Sequence, residues 1–129
     1  MRVVLLHTEG YGLEAEIEVD GSRLTVVDGI STVERAAPPG PIPDPKFDVV
    51  FVAPESWQRA IAANPDCDRK LTPQWGWRYL GFGRVLGLDP LRLDLGVLVL
   101  ELALPDDDER RVGDCVALAI DRIRITRAR

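Results

Sequence analysis

The sequence predicts a mostly β fold, a small antiparallel β-barrel with one short helix, and three observations lead to that prediction. Apolar and polar residues alternate with a period of two in most segments, which is typical of strands with one buried and one exposed face. In two apolar segments the buried positions switch between odd and even residue numbers part-way along the segment. Strands show this change of parity where a bend or bulge lets them curl around a barrel. Seven predicted strands also outnumber a single helical pattern.

The segment 13–27 is a predicted β-hairpin, and two independent signals give the same register. Apolar residues at alternate positions interleave with three glutamates, Glu14, Glu16 and Glu18. The dipeptide Asp20-Gly21 favours a type I′ turn, because both central positions of that turn need positive φ. The turn predicts four pairs that match in polarity: Glu18 with Arg23, Ile17 with Leu24, Glu16 with Thr25, and Ala15 with Val26.

Two further strands and a long loop are predicted in the first half of the chain. Residues 2–7 form the first strand, and residues 47–52 are almost wholly apolar, as expected for a central strand. Between them, residues 28–45 contain five prolines and predict a stiff surface loop, with its proline-rich part at 36–46. Neither side of this loop is long enough to build a sizeable core alone, so residues 1–129 are predicted to form a single domain.

A short helix and two longer strands follow. Residues 54–63 begin with Pro-Glu, end before Asn-Pro, and predict a helix that packs Trp57 against the sheet as a lid. Residues 77–88 form a predicted extended strand. The dipeptide Asp89-Pro90 then predicts a turn, and a second strand follows at 91–104. The buried parity of that second strand changes at Gly96, which predicts a bend or bulge within one long strand.

The last strand, residues 116–125, repeats this device with an offset at Asp121-Arg122. Residues 105–111 are then the predicted acidic tip of a hairpin that joins the last two long strands. An OB-like or SH3-like barrel is the architecture that these elements favour, and a β-sandwich is the alternative.

Composition narrows the class of protein. A net charge of −5 argues against general binding to nucleic acid or to anionic membranes, where a basic surface supplies most of the affinity. The N-terminal apolar run is too short for a signal peptide, and the longest apolar run, residues 95–100, is too short to cross a bilayer. We therefore expect a cytoplasmic protein. Cys115 at the start of a strand is interpreted as a buried apolar residue, and Cys67 in an acidic loop as unreactive, so no disulfide is predicted.

Residues 74–84 are the strongest candidate for a binding site. Tryptophan, tyrosine and arginine interleave with glycine there, and such a set offers flat faces for stacking and guanidinium groups for anions. The same aromatics could instead belong to the core, or to a lid over the barrel mouth. The candidate ligand or partner surface comprises Trp57, Trp75, Trp77, Arg78, Tyr79 and Arg84.

No catalytic, metal or cofactor motif stands out. His7 is the only histidine, so a histidine-based metal cluster is excluded, and no nucleophile lies near it in the sequence. The acidic run 106–109 lacks the spaced oxygens and the glycine of an EF-hand loop, and is interpreted as a solvated turn. The glycine-rich stretches do not follow a strand and open a helix, as a phosphate-binding loop would.

These observations favour a non-enzymatic protein-interaction module that acts as an adaptor, inhibitor or accessory subunit, or by self-association. A second predicted partner surface is the acidic face of Glu14, Glu16 and Glu18, which would attract a basic protein. The alternative function is a small-molecule-binding barrel, with or without enzymatic activity, whose pocket is lined by the aromatic and arginine residues. Single-stranded nucleic-acid binding is a third hypothesis, which the negative net charge disfavours.

Overall fold

A computed structural model describes residues 2–50, 61–88, 90–102 and 111–127. The described residues form twelve strands and contain no helix. The strands are β1 (Val3–Thr8), β2 (Glu14–Val19), β3 (Ser22–Asp28), β4 (Gly40–Pro41), β5 (Pro45–Val50), β6 (Ile61–Ala63), β7 (Lys70–Pro73), β8 (Tyr79–Leu88), β9 (Leu91–Asp94), β10 (Val99–Leu102), β11 (Cys115–Ile120) and β12 (Arg122–Arg127).

All twelve strands belong to one mixed sheet. Its order is β4-β1-β2-β3-β12-β5-β10-β9-β8-β11-β6, and β7 pairs with β8 beside this path. Most neighbours are antiparallel, but β12 runs parallel to β3, and β10 runs parallel to β5. The mostly β class is thus confirmed, whereas the described sheet is mixed and is not closed into a barrel, since β4 and β6 stand at its two ends.

The sheet curls so that its inner face buries a single apolar core. The Tyr79 hydroxyl on β8 accepts a hydrogen bond of 2.8 Å from the Thr25 amide on β3, so two distant parts of the sheet meet across the core. Burying a side chain of leucine or phenylalanine size contributes about 1.5–3 kcal/mol, which makes this shared face the main source of stability. The largest fully buried side chains are Phe47, Ile17, Leu91, Leu93, Leu95, Leu100, Leu118, Ile120, Ile123, Ile125, Val19 and Val26.

The β2–β3 hairpin has the predicted register. All four expected pairs are present, and the pairing extends to Glu14 opposite Val27. Asp20 and Gly21 have φ values of 47° and 90°, as a type I′ turn requires. Local turn chemistry and the alternating pattern are therefore sufficient to specify this unit.

A buried carboxylate anchors the loop that follows the hairpin. The Asp28 side chain is 1% exposed and accepts hydrogen bonds from the Ile30 and Ser31 amides at 2.7 and 2.8 Å. The hydroxyls of Thr8 and Ser31 donate to its other oxygen, and Ser31 Oγ in turn accepts from the Ala37 amide at 2.8 Å. Burial opposes ionisation of Asp28, but these hydrogen bonds outweigh it and lower the pKa of the carboxyl below its usual 3.8.

The parity change at Gly96 is confirmed, but the continuous strand around it is wrong. Leu95 and Leu98 are both buried, while the chain reverses between them and closes a 2.9 Å hydrogen bond from the Leu95 amide to the Leu98 carbonyl. Gly96 has a φ of +84°, and an added Cβ would lie 2.8 Å from the Arg69 carbonyl oxygen. The glycine therefore makes a hairpin between β9 and β10, and the sequence pattern alone does not distinguish this reversal from a bend.

The second parity change divides the last strand into β11 and β12. Ile120 and Ile123 are both buried on either side of Asp121, as the pattern predicts. The predicted hairpin between the last two long strands is wrong, because β10 lies between β9 and β5 whereas β11 lies between β8 and β6. The acidic residues 106–109 lie outside the described residues.

The helix predicted over 54–63 is wrong at its described end. Residues Ile61–Ala63 form β6, with Ala63 opposite Val116 of β11. Residues 54–60, including Trp57, lie outside the described residues. No helix in the described ranges has the length and apolar character to span a membrane.

A disulfide joins Cys67 to Cys115, which corrects the expectation of two unpaired cysteines. Their Cα atoms are 5.1 Å apart although 48 positions separate them in sequence. Because β6 pairs with β11, the connection from β6 to β7 lies beside the start of β11. The sequence pattern does not reveal this pairing. Buried Asn64 holds that connection in place, since its side-chain amide donates to the Asp68 carbonyl at 2.9 Å.

Candidate functional site

The connection between β7 and β8 is a tight turn that presents a tryptophan to solvent. The Gln74 amide donates to the Arg78 carbonyl at 3.0 Å, and the Arg78 amide donates to the Trp75 carbonyl at 3.1 Å. Gly76 has a φ of +61°, a conformation that glycine adopts without strain. Trp75 is 71% exposed at this tip, in contrast to the core position that the alternative interpretation gave it.

Two arginines lie over the two tryptophans of this hairpin. The Arg78 guanidinium is 4.9 Å from the Trp75 ring centre, and the Arg122 guanidinium is 4.8 Å from that of Trp77. Both distances are typical of a cation–π contact. Arg78 also forms an ion pair of 3.8 Å with Asp121, which ties the turn to the junction of β11 and β12. We refer to Trp75, Trp77, Arg78 and Arg122 as the tryptophan–arginine surface.

Arg122 is a member of this surface that sequence reasoning missed. It lies far from the tryptophans in sequence, and its position follows from the pairing of Ile120 on β11 with Tyr79 on β8. Two residues after Ile120 the chain starts β12, which brings Arg122 to Trp77. The signal that the sequence offers is a basic residue, Arg122, at the position where the alternation of buried residues changes. That signal does not indicate which side chain Arg122 contacts.

Tyr79 belongs to the core, so its predicted place in the partner surface is wrong. The side chain is 5% exposed, and its hydroxyl is engaged by the Thr25 amide. Burial raises the pKa of this phenol above 10.0 despite the hydrogen bonds from Thr25, which favour the ionised form. Because alternate residues of a strand face opposite sides, Tyr79 points inward while Leu80 and Phe82 point outward.

The outer face of β8 continues the cationic and aromatic character of the tip. The Lys70 ammonium lies 4.9 Å from the Phe82 ring centre, and the two residues are cross-strand partners. Arg84 is exposed on the same face, opposite Cys115 of the disulfide. Trp57 lies outside the described residues, so the structure brings together Trp75, Trp77 and Arg78 from the predicted set, with Arg84 further along the strand.

The acidic face of the first hairpin is separate from this surface in the sheet order. Glu14 and Glu16 are exposed and Glu18 is half-buried. His7 lies opposite Glu16, because the register of β1 shifts between Leu5 and His7. The face is available to a basic partner, and its use as a binding surface stays a prediction.

Arg124, on β12, is an arginine of this sheet whose guanidinium binds a carboxylate. Its Nε donates to Asp48 Oδ1 at 2.9 Å, and its Nη2 contacts Asp48 Oδ2, which together make a bidentate pair between β12 and β5. This side-chain hydrogen bond is the main reason that the pKa of Arg124 is raised, with burial opposing it. The charge of Arg124 is thus compensated within the chain.

No family model, curated protein or solved structure matches this chain. Within the described ranges, no three histidine, cysteine or acidic side chains are grouped to hold a metal ion. A cleft of about 240 Å³ lies elsewhere in the sheet and is lined by Lys46, Phe47, Asp48, Pro90, Glu101, Leu102 and Thr126.

Proposed function

We propose that the protein is a non-enzymatic protein-interaction module that binds its partner through the tryptophan–arginine surface. The observation that carries the proposal is the 71% exposure of Trp75 at the tip of a hydrogen-bonded turn. Tryptophan and arginine are the residues most enriched among those that dominate binding energy in protein interfaces. An exposed pair of this kind is therefore a candidate anchor for a partner.

The energy available from Trp75 is sufficient for a dominant contact. A tryptophan side chain buries on the order of 200 Å² when it is fully covered, and the exposed share of this ring would contribute about 3–4 kcal/mol on burial. The turn hydrogen bonds fix the backbone of the tip, and the Arg78 guanidinium already lies 4.9 Å from the ring centre before binding. A preformed turn lowers the backbone entropy that is lost when the partner binds.

A small-molecule site remains the alternative that the same residues would serve. It predicts that the aromatic rings surround a ligand, whereas Trp75 stands exposed at the tip of a turn, which favours a broad contact over an enclosed one. Self-association through the tryptophan–arginine surface is a form of the proposed function, in which the partner is a second copy of the chain.

The disulfide supports a proposal about the compartment in which the interaction takes place. The cytoplasm was expected from the sequence, but a disulfide between Cys67 and Cys115 favours an oxidising compartment, since thiols stay reduced in the cytosol. We propose that the module acts where this bond persists.

The test compares Trp75→Ala with Val33→Ala, a control at a side chain that is 87% exposed and distant in sequence. Each tagged protein is purified gently from its own cells and its co-purifying proteins are quantified by mass spectrometry, with sedimentation velocity to detect self-association. We expect at least one partner, or the homo-oligomer, to fall by tenfold or more with Trp75→Ala and to be retained with Val33→Ala. Equal recovery with both variants would contradict the proposal, and a retained small mass in native mass spectra would support the ligand alternative.

A further inference from the structure

The arginines of the tryptophan–arginine surface differ from Arg124 in how their hydrogen-bond donors are used. Arg124 donates to both oxygens of Asp48. Within the described part of the chain, Arg122 has the Trp77 ring as its contact and no carboxylate within ion-pair distance. The Arg78 side chain has Asp121 at 3.8 Å, which is too long for a hydrogen bond. Both guanidinium groups therefore lie near an aromatic ring, and among the described residues no side-chain hydrogen bond occupies their N–H donors.

A stacked guanidinium is suited to a carboxylate. Stacking occupies the π face, whereas the five N–H donors lie in the plane of the group and point away from it. A guanidinium over a ring can direct these donors at a planar acceptor and form two parallel hydrogen bonds with it. Such bonds are roughly twice as strong as those between neutral groups.

The surrounding charges favour an anionic partner of protein origin. Arg84 extends the basic character along the outer face of β8, and Lys70 adds a cation whose ammonium is 3.8 Å from an Asp68 oxygen, although the chain as a whole carries a net charge of −5. A long polyphosphate backbone is bound by a basic surface that neutralises many phosphates, which is more than these few cations supply. The half-exposed Leu80 and Phe82, which lie in sequence between Arg78 and Arg84, would accept apolar side chains.

We infer that the surface recognises an acidic segment of another protein, in which glutamate or aspartate carboxylates alternate with apolar side chains. This inference rests on the proposed function and adds the chemistry of the partner. The carboxylates would bind Arg122 and Arg78, and the apolar side chains would cover Trp75 and Phe82.

The experiment uses synthetic peptides and the unmodified protein. Repeating Glu-Gly-Leu, Gln-Gly-Leu and Lys-Gly-Leu peptides of equal length carry a fluorescent label, and binding is measured by anisotropy at several salt concentrations. We expect the glutamate peptide to bind at least tenfold more tightly than the glutamine peptide, with an affinity that falls as salt rises. Equal binding of the glutamate and glutamine peptides would overturn the inference, as would tighter binding of a labelled oligothymidine.

Variants assign the effect to the surface. Arg122→Gln and Arg78→Gln should each weaken the glutamate peptide by about tenfold, while Arg35→Gln, in the exposed loop after β3, should leave it unchanged. Arg122→Lys keeps the charge but loses the planar fork, so it should restore only part of the affinity. Loss of a cellular partner with Trp75→Ala, without any preference for glutamate, would retain the proposed function and reject this inference.

Discussion

The disulfide between Cys67 and Cys115 gives a prediction that can be worked out in magnitude. The perturbation is the double substitution C67S/C115S, or reduction of the unmodified protein. The bond closes a loop across 48 sequence positions, and that loop contains β7 to β10 with Trp75, Trp77 and Arg78, whereas Arg122 lies outside it. Breaking it gives the unfolded chain conformational freedom that the cross-link removes.

The expected loss of stability follows from the length of this loop. For a closed loop of 48 residues, the chain-entropy relation gives about 4 kcal/mol at 25 °C. Domains of ordinary size are stable by about 5–15 kcal/mol, so this bond accounts for a large share of the total. The slope of the unfolding free energy against urea should also rise, because the uncrosslinked unfolded state exposes more surface.

The assay is urea unfolding followed by circular dichroism, with and without reductant, on the unmodified protein and on C67S/C115S. Reductant should lower the midpoint of the unmodified protein to that of the variant, and should leave the variant unchanged. Alkylation of thiols at the moment of lysis, read by mass spectrometry, tests whether the bond exists in the cell. The reasoning is refuted if both cysteines alkylate in the native protein and reductant does not move the midpoint.

Two further perturbations test the fold. Asp28→Asn should lower the free energy of unfolding by about 2–3 kcal/mol at neutral pH, because it disrupts a buried acceptor of four hydrogen bonds. Folding lowers the pKa of Asp28, so the ionised carboxylate stabilises the folded protein above pH 3.8. This stabilisation is lost as the pH falls through the lower pKa of the folded state. The difference in unfolding free energy between the unmodified protein and Asp28→Asn should therefore become smaller on acidification. Gly83→Ala would place a Cβ 2.5 Å from the Asp94 carbonyl oxygen and should cost about 1–3 kcal/mol, whereas at Gly87 the nearest atoms belong to a flexible arginine, so Gly87→Ala is the matched control. Equal midpoints for the two alanine variants would contradict the packing argument.

The success of the sequence prediction was greatest where the determinants are local. The β2–β3 hairpin follows from a two-residue turn and from alternation, and a one-residue slip would have placed glutamates in the core. The parity changes at Gly96 and Asp121 were also correctly located, because burial of alternate residues leaves a direct trace in the sequence. Trp75, Trp77 and Arg78 also lie in one short segment where their chemistry is visible, and their use as a binding surface stays a prediction.

Contacts between distant segments were beyond that reasoning. The reversal at Gly96 and the strand at Ile61–Ala63 depend on which strands pair with each other. Alternation with a period of two indicates that a segment is a strand, but it does not indicate which strand lies next to it. Tyr79 and Trp77 are two positions apart and would face the same side of a continuous strand. Tyr79 is nevertheless buried in the core while Trp77 contacts Arg122, because β8 begins between them.

The sequence by itself determined a mostly β chain, the register of its first hairpin and the segment that carries the aromatic residues. The tertiary structure alone decided the order of the strands, the disulfide from Cys67 to Cys115 and the addition of Arg122 to the tryptophans. The physical reason is that turns and alternation act over a few residues, whereas sheet order is selected by the burial of many apolar side chains at once. The contact of Arg122 with Trp77, which completes the candidate site, is a consequence of this sheet order.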